Sequence, residues 1–301
     1  MLAPVDVPEN LRWIEGLDGG RDWLTSLDDL VDHAIERWGL SLGPVFAGAH
    51  VSLTCPATTA GGDHVVLKVQ FPHDECRGEA AALAAWDGRG AVHLLDHDEG
   101  RWTLLLERCA PGIDLADAGL DVAEAIEVFA GLTEASWIVP PLGHRFTTSQ
   151  GEAHRWIETM GPDRVAESRS FPRERLDLAR ACLGEVADDQ GEQVIVNQDL
   201  HDQNVLSAQR RPWLVVDPKP LVGERHLSLA PIVRSFGYRF GPEAALAAFD
   251  RLCDRMDLDP ARALRWAIGQ SVCWGLDSSS VIQPRHAATV DLLVDRLRSR
   301  G

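Results

Sequence analysis

QVIVNQDLHDQNVLSAQRRPWLVVD, residues 193–217, sets a polar loop between two apolar β-type runs. The flanking residues are short, branched and hydrophobic, as buried strands require. Polar side chains pinned between two such strands read as a functional loop rather than a solvated linker. Asp199 is followed five residues later by Asn204, and Asp217 lies thirteen residues beyond that at the end of the second run. An Asp and an Asn at this spacing mean little alone, because both residues are common in surface loops. An apolar strand on each side and an Asp-Pro ending at 217–218 make chance a poor account.

The set matches what phosphoryl transfer demands. Catalysis there rests on positioning and charge neutralisation, so a site needs a carboxylate to orient the attacking hydroxyl and oxygen ligands for a hard cation. Asp199 is assigned as the base, and Asn204 and Asp217 as the Mg²⁺ ligands. Asp202, inside the same motif, is taken as an acceptor contact.

Upstream, Lys68 interrupts the apolar run VVLKVQ, where a lysine is expected only if it reaches into a cleft or protects an exposed edge. With the downstream motif present, the first reading predicts contact with the α- and β-phosphates of ATP. Glu79, on the following helix, is the partner that would hold it. Gly43, Gly48 and Ser52 lie between the first strands, where small residues allow backbone amides to approach phosphates. Glu107 and Cys109, at the end of LLLERCAPG, are placed where strand backbone can meet adenine. Neither dinucleotide nor P-loop glycine motifs occur.

The remaining chain falls into two halves. Apolar residues at helical spacing predict a helix over 22–39 closed by Gly39, and the β-rich runs 45–54 and 64–70 predict a hairpin turning at Gly61-Gly62-Asp63. A helix over 74–86 and strands at AVHLLD and RWTLLLE complete the first half. After Pro111, helical periodicity predominates, at 121–135, 149–160, 172–189, 227–239, 243–256, 260–276 and 287–299. The expected architecture is α+β: a small β-rich nucleotide-binding lobe over 1–110 and a larger helical lobe over 111–301 that carries the catalytic loop and acceptor pocket.

Composition narrows the partners. The 301 residues are 45% hydrophobic, ample for a core, and carry a formal charge of −17. That charge repels nucleic-acid backbones and anionic membranes, and it suits a cationic small molecule. Six scattered cysteines without a C-x-x-C pair predict reduced core residues and no zinc site. No secretory pattern opens the chain and no apolar stretch approaches the ~20 residues that span a bilayer, so a cytoplasmic location is expected.

The text around these motifs resembles the aminoglycoside and hydroxyurea phosphotransferase family, and within it the streptomycin 6-phosphotransferases. AAWDGRGAVHLLDHDEGRWTLLLERCAPG and DLHDQNVLSAQRRPWLVVDPKPLVGERHLSLAP carry the likeness, which extends over most of the chain. The resemblance implies a two-lobed protein-kinase-like fold, ATP with Mg²⁺, and γ-phosphoryl transfer to a hydroxyl of a small polyhydroxylated antibiotic, conferring resistance. By position it makes Lys68 and Glu79 the nucleotide clamp, Asp199 the base, and Asn204 with Asp217 the metal ligands. Three departures stand out. Asn197 replaces the family's usual His and Ser228 its usual Asp, two positions that support one loop, so a substitute polar network between them is expected. Trp274 and Asp277, in CWGLDSSS, remain as an acceptor wall with one acid fewer than the streptomycin-type pattern. Lys219, after Asp217-Pro218, puts a cation near the expected phosphate or else is a solvated turn residue. Alternatives stay open: an amino sugar, hydroxyurea, nucleoside or peptide antibiotic as acceptor, or a nucleotide-binding pseudokinase.

Overall fold

The structure, a computed structural model, describes residues 7–161, 171–277 and 284–300. A short 3-10 helix at Glu9–Gly16 precedes α1 (Gly20–Trp38), which ends at Gly39 in the left-handed conformation (φ 62°), as the sequence predicts. Five antiparallel strands follow: β1 (Leu40–Leu42), β2 (Ser52–Thr59), β3 (His64–Gln70), β4 (Leu94–Asp98) and β5 (Thr103–Glu107), in the order β1-β2-β3-β5-β4. The expected strand at 45–54 is corrected. Its first seven residues belong to a loop over 43–51, and the hairpin partner of β3 is 52–59, because Gly48 and its neighbours turn the chain before the ladder begins.

Strand alternation decides which way β3 presents its side chains. Val65, Leu67 and Val69 are buried with Trp23, Leu27, Val31 and Ala34 of α1 on one face of the sheet. Val66, Lys68 and Gln70 therefore share the opposite face, on the side of α2 (Glu79–Trp86). Each large apolar side chain buried under α1 contributes about 1.5–3 kcal/mol, enough to fix this register and so the direction of Lys68. Gly78, at the start of α2, permits the close approach of that helix to the second half: a Cβ there would sit 2.8 Å from Pro220.

The helical half comprises α3 (Val122–Ser136), α4 (Ser149–Thr159), α5 (Arg173–Ala187), α6 (Leu229–Phe240), α7 (Pro242–Met256), α8 (Pro260–Asp277) and α9 (Pro284–Arg298). Its core gathers Phe129, Trp156, Phe236, Phe249 and Trp266, and it reaches across to Trp86, Leu104 and Leu106 of the first half. The six cysteines form no disulfide among the described residues, and five of them are buried. No helix among the described residues is long and apolar enough to cross a membrane.

The two runs of the opening stretch do not pair with each other. Val194–Asn197 forms β6 and takes β9 (Pro220–Gly223) as partner, whereas β7 (Val205–Ser207) pairs with β8 (Trp213–Val215). The first ladder sets Asn197 opposite Pro220, and the second continues in a hydrogen bond from Val216 N to Asn204 O (2.9 Å). These two short antiparallel ladders bring the polar residues of the loop together.

Candidate active site

Lys68 is 5% exposed and Glu79 is fully buried, and they meet as the sequence predicts. Lys68 Nζ donates to both Glu79 oxygens (2.8 and 2.6 Å) and to Asp217 Oδ1 (2.5 Å), a residue 149 positions away. Gln70, two residues along the same strand face, donates to Glu79 Oε2 at 2.6 Å. It carries no motif signal, only its register with Lys68. Burial opposes the charge on Lys68, but Asp217 and Glu79 outweigh it and hold the ammonium protonated. Burial pushes Glu79 up to about 7, with Lys68 and the Gln70 amide pulling down and Asp217 adding to the rise.

Asp217 stands in the left-handed region at φ 49°, a conformation that aspartate tolerates better than most residues and that turns its carboxylate off the end of β8. Its carboxyl lies below the ordinary range because the Lys68 cation overcomes the cost of burial. Asn204 donates its amide N–H to Asp199 O (3.2 Å), which leaves its side-chain oxygen available to a cation. A carboxylate and an amide oxygen on adjoining loops fit Mg²⁺, which is commonly held by one or two protein oxygens and completed by water and phosphate. Among the described residues, no three or more His, Cys, Asp or Glu side chains gather into a metal cage.

Asp199 is 8% exposed and lies between two cations. Lys219 Nζ is 3.2 Å from Oδ2, and Arg234 Nη2 is 3.4 Å from Oδ1. Lys219 is therefore not a solvated turn residue. It also binds Glu75 at 2.9 Å, from the 3-10 turn Asp74–Cys76 before α2, so a Glu75–Lys219–Asp199 chain spans the cleft. Burial works against the Lys219 charge, and Asp199 and Glu75 overcome it. His201 Nε2 is 3.8 Å from Asp199 Oδ1, and burial lowers its pKa, favouring the neutral ring. A cavity lined by Val51, Lys68, Gln70, Glu79, Asp217 and Lys219 opens between these groups.

The expected Asn197–Ser228 network takes a different form. Asn197 Oδ1 accepts from the amides of Asp199 (3.1 Å) and Lys219 (3.0 Å), so it pins the loop to the strand that follows Asp217. Ser228 Oγ instead accepts from Trp137 Nε1 (3.0 Å). Among the described hydrogen bonds none joins the two side chains.

Gly48 sits in open space at the tip of the 43–51 loop, and Ser52 starts β2 with its hydroxyl 3.1 Å from that of Thr54. Glu107 has other business: its amide donates to His93 O, its Oε2 accepts from His93 N, and its carboxylate pairs with Arg210 (2.9 Å). Of the two expected adenine contacts, Cys109 alone lies beyond the sheet ladder. Asp202 is held through its backbone, its amide accepted by Ser235 Oγ (3.2 Å) and its carbonyl accepting from Leu115 N. The ring of Trp274 lies under Arg234 (4.2 Å) and near Lys219 (5.2 Å). Asp277 ends α8, and its side chain lies outside the described residues. Glu75, Gln70, Arg234, Ser235 and Gln270 are additions that no local pattern announced.

Residues 37–279 match the family described as aminoglycoside/hydroxyurea antibiotic resistance kinase. The chain is 35% identical to a hydroxyurea phosphotransferase of Kitasatospora aureofaciens, over 98% of this chain and 87% of that one. It is 33% identical to a streptomycin 6-kinase of Streptomyces griseus, over 96% and 97% respectively. A crystal structure of a thermostable mutant of aminoglycoside phosphotransferase APH(4)-Ia, in ternary complex with AMP-PNP and hygromycin B, matches with a TM-score of 0.61 at 18% identity, covering 92% of this chain and 99% of that one. Choline kinase LicA from Streptococcus pneumoniae matches with a TM-score of 0.62 at 12% identity, covering 91% and 99%. At these identities the structural likeness establishes the two-lobed protein-kinase-like fold.

Proposed function

Because the chain belongs to the aminoglycoside/hydroxyurea antibiotic resistance kinase family, we propose that it transfers the γ-phosphoryl group of ATP to a hydroxyl of a streptomycin-type antibiotic. The chain is a phosphotransferase with a hydroxyl acceptor. The observation that carries the nucleotide side is the Lys68–Glu79–Asp217 ion cluster, assembled from two distant parts of the chain. ATP use is further supported by the AMP-PNP complex of the APH(4)-Ia structure.

On this reading residues 1–110 carry the nucleotide clamp, and residues 111–301 the base and the acceptor side. Lys68, oriented by Glu79, meets the α- and β-phosphates, and the loop around Gly48 and Ser52 covers them with backbone amides. The Cys109 backbone is free to meet adenine. Mg²⁺, held by Asp217 and Asn204, would neutralise phosphate charge during transfer. Asp199 accepts the hydrogen bond of the attacking hydroxyl and orients it in line, and Asn197 keeps its backbone in place. Asp202 lies near Asp114, whose carboxyl is raised by burial and by Asp117 and Asp202 together, an acidic surround that suits a cationic acceptor.

A second reading keeps the mechanism and takes hydroxyurea as the acceptor, favoured by the 35% identity to the hydroxyurea phosphotransferase. Purified protein incubated with ATP, Mg²⁺ and streptomycin, hydroxyurea or hygromycin B separates the readings by mass spectrometry of the product. A phosphorylated streptomycin supports the first, and phosphorylated hydroxyurea alone replaces it with the second. No acceptor-dependent turnover across the panel would overturn both in favour of a nucleotide-binding module.

A further inference from the structure

Arg234 has no part in the scheme above, yet it is the best-enclosed cation beside the base. Its side chain is 10% exposed and its guanidinium touches three groups. Nη2 reaches Asp199 Oδ1 at 3.4 Å, Nη1 reaches Gln270 Oε1 at 3.3 Å, and Cζ lies over the Trp274 ring, 4.2 Å from its centroid. Gln270 and Trp274 are one turn apart on α8, so a single helix face supplies both supports. Gln270 also donates to the carbonyl of Gln198, the residue before the base, at 2.9 Å. One turn of α6 adds Ser235, which accepts from the amide of Asp202.

The other cation on Asp199 is held differently. Lys219 lies on Oδ2 but divides itself between that oxygen and Glu75 across the cleft. Its flexible stem makes it a point charge that can move, whereas a planar guanidinium stacked on an indole is fixed in orientation. The two oxygens of the base are therefore unequal: one is locked from the protein interior and the other faces a movable partner beside the cavity.

We propose that Arg234, seated on Trp274 and Gln270, is a positioning residue that fixes Asp199 Oδ1, so that Oδ2 is the oxygen that takes the acceptor hydroxyl. This rests on Asp199 being the base. It also reassigns Trp274, which acts through Arg234 instead of forming a wall against the acceptor. A displacement of the base by about 1 Å is enough to cost up to about 100-fold in rate while leaving the bound substrates in place.

Steady-state kinetics with streptomycin and hydroxyurea as acceptor probes test the assignment on Arg234→Gln, Arg234→Ala and Trp274→Leu. The expected result is a fall in kcat of about 10- to 100-fold, with KM for ATP and for the acceptor moved by less than about threefold. Added guanidinium ion should restore part of the turnover of Arg234→Ala, and Arg234→Lys should not rescue, because an ammonium cannot reproduce the stacked fork. A rise in acceptor KM for Trp274→Leu at unchanged kcat would overturn the proposal and restore the indole as an acceptor wall. A double-mutant cycle in Tm over Arg234→Gln and Asp199→Asn needs no acceptor: non-additive shifts are expected, and additive shifts would overturn the proposal. Wild-type protein inactive on both probes would count against the functional reading, and the cycle would then decide the Arg234 assignment by itself.

Discussion

Glu79→Gln removes the one fully buried carboxyl of the Lys68–Glu79–Asp217 cluster while keeping its shape. In the wild type, burial pushes that carboxyl from an ordinary 4.5 up to about 7, in spite of Lys68. A group whose folded-state value is raised contributes its stability fully below 4.5 and loses it as the pH rises toward 7. At about 1.4 kcal/mol per pH unit, ionising this carboxyl inside the protein costs the wild type about 3 kcal/mol across that window. Glutamine does not titrate, and its amide oxygen can still accept from Lys68. The difference in unfolding free energy between Glu79→Gln and wild type should therefore move by about 3 kcal/mol in favour of the variant between pH 4.5 and pH 7. Urea unfolding at half-unit pH steps measures it. A difference that stays flat, or moves against the variant, would refute the reasoning, since it would mean that Lys68 keeps the carboxylate ionised throughout. Turnover should move the opposite way, because an amide holds the lysine less firmly than a carboxylate. A fall in kcat/KM for ATP alongside a gain in stability would be the signature of a charge kept for chemistry.

Two further outcomes follow from the other ion clusters. Asp199→Ala should abolish turnover and also destabilise the fold by about 3 kcal/mol, because Lys219 and Arg234 lose their shared carboxylate; Asp199→Asn should unfold at an intermediate Tm. Equal Tm values for the three proteins would refute the pairing and make alanine a clean control. Glu224, buried, accepts from Trp266 Nε1 and from Arg262 Nε (2.6 Å), and these groups with His226 hold its carboxyl below the ordinary range against the cost of burial. Its contribution is present above 4.5 and lost as the pH falls through the lowered folded value. Glu224→Gln should cost about 1.5–3 kcal/mol at pH 7 and should flatten the acid limb of the stability profile; an unchanged limb would remove Glu224 from the account.

Much of the helical half was legible because apolar spacing alone specifies it. The helix expected over 260–276 is α8 (Pro260–Asp277), and the one over 121–135 is α3 (Val122–Ser136). The β-rich half was less so. Residues 45–51 have strand-like composition, but three small residues among them, Ala47, Gly48 and Ala49, give no ladder a side chain to pack, and the chain turns there instead. The sharing of β6 and β8 between different partners was hidden for another reason. Strand composition says that a run will pair, and only packing says with what.

The opening stretch determined the chemistry by itself. A carboxylate, an amide oxygen and a second carboxylate at that local spacing, bounded by apolar strands, leave few reactions other than phosphoryl transfer, because the donors suit a hard cation and lie within one short stretch of chain. Lys68 and Glu79 were readable for a similar reason, one being a charge where a strand should be apolar and the other an acid at the head of the next helix. The tertiary structure decided what surrounds Asp199. Arg234 and Glu75 reach Asp199 or its partner Lys219, and Gln270 and Trp274 support Arg234, from three helical or turn elements far apart in sequence; Trp274 apart, none sits in a pattern that distinguishes it from a surface arginine, a core glutamine or an ordinary helix-cap acid. Their roles come from distance and burial, which the packing of α6 against α8 sets and no local spacing encodes.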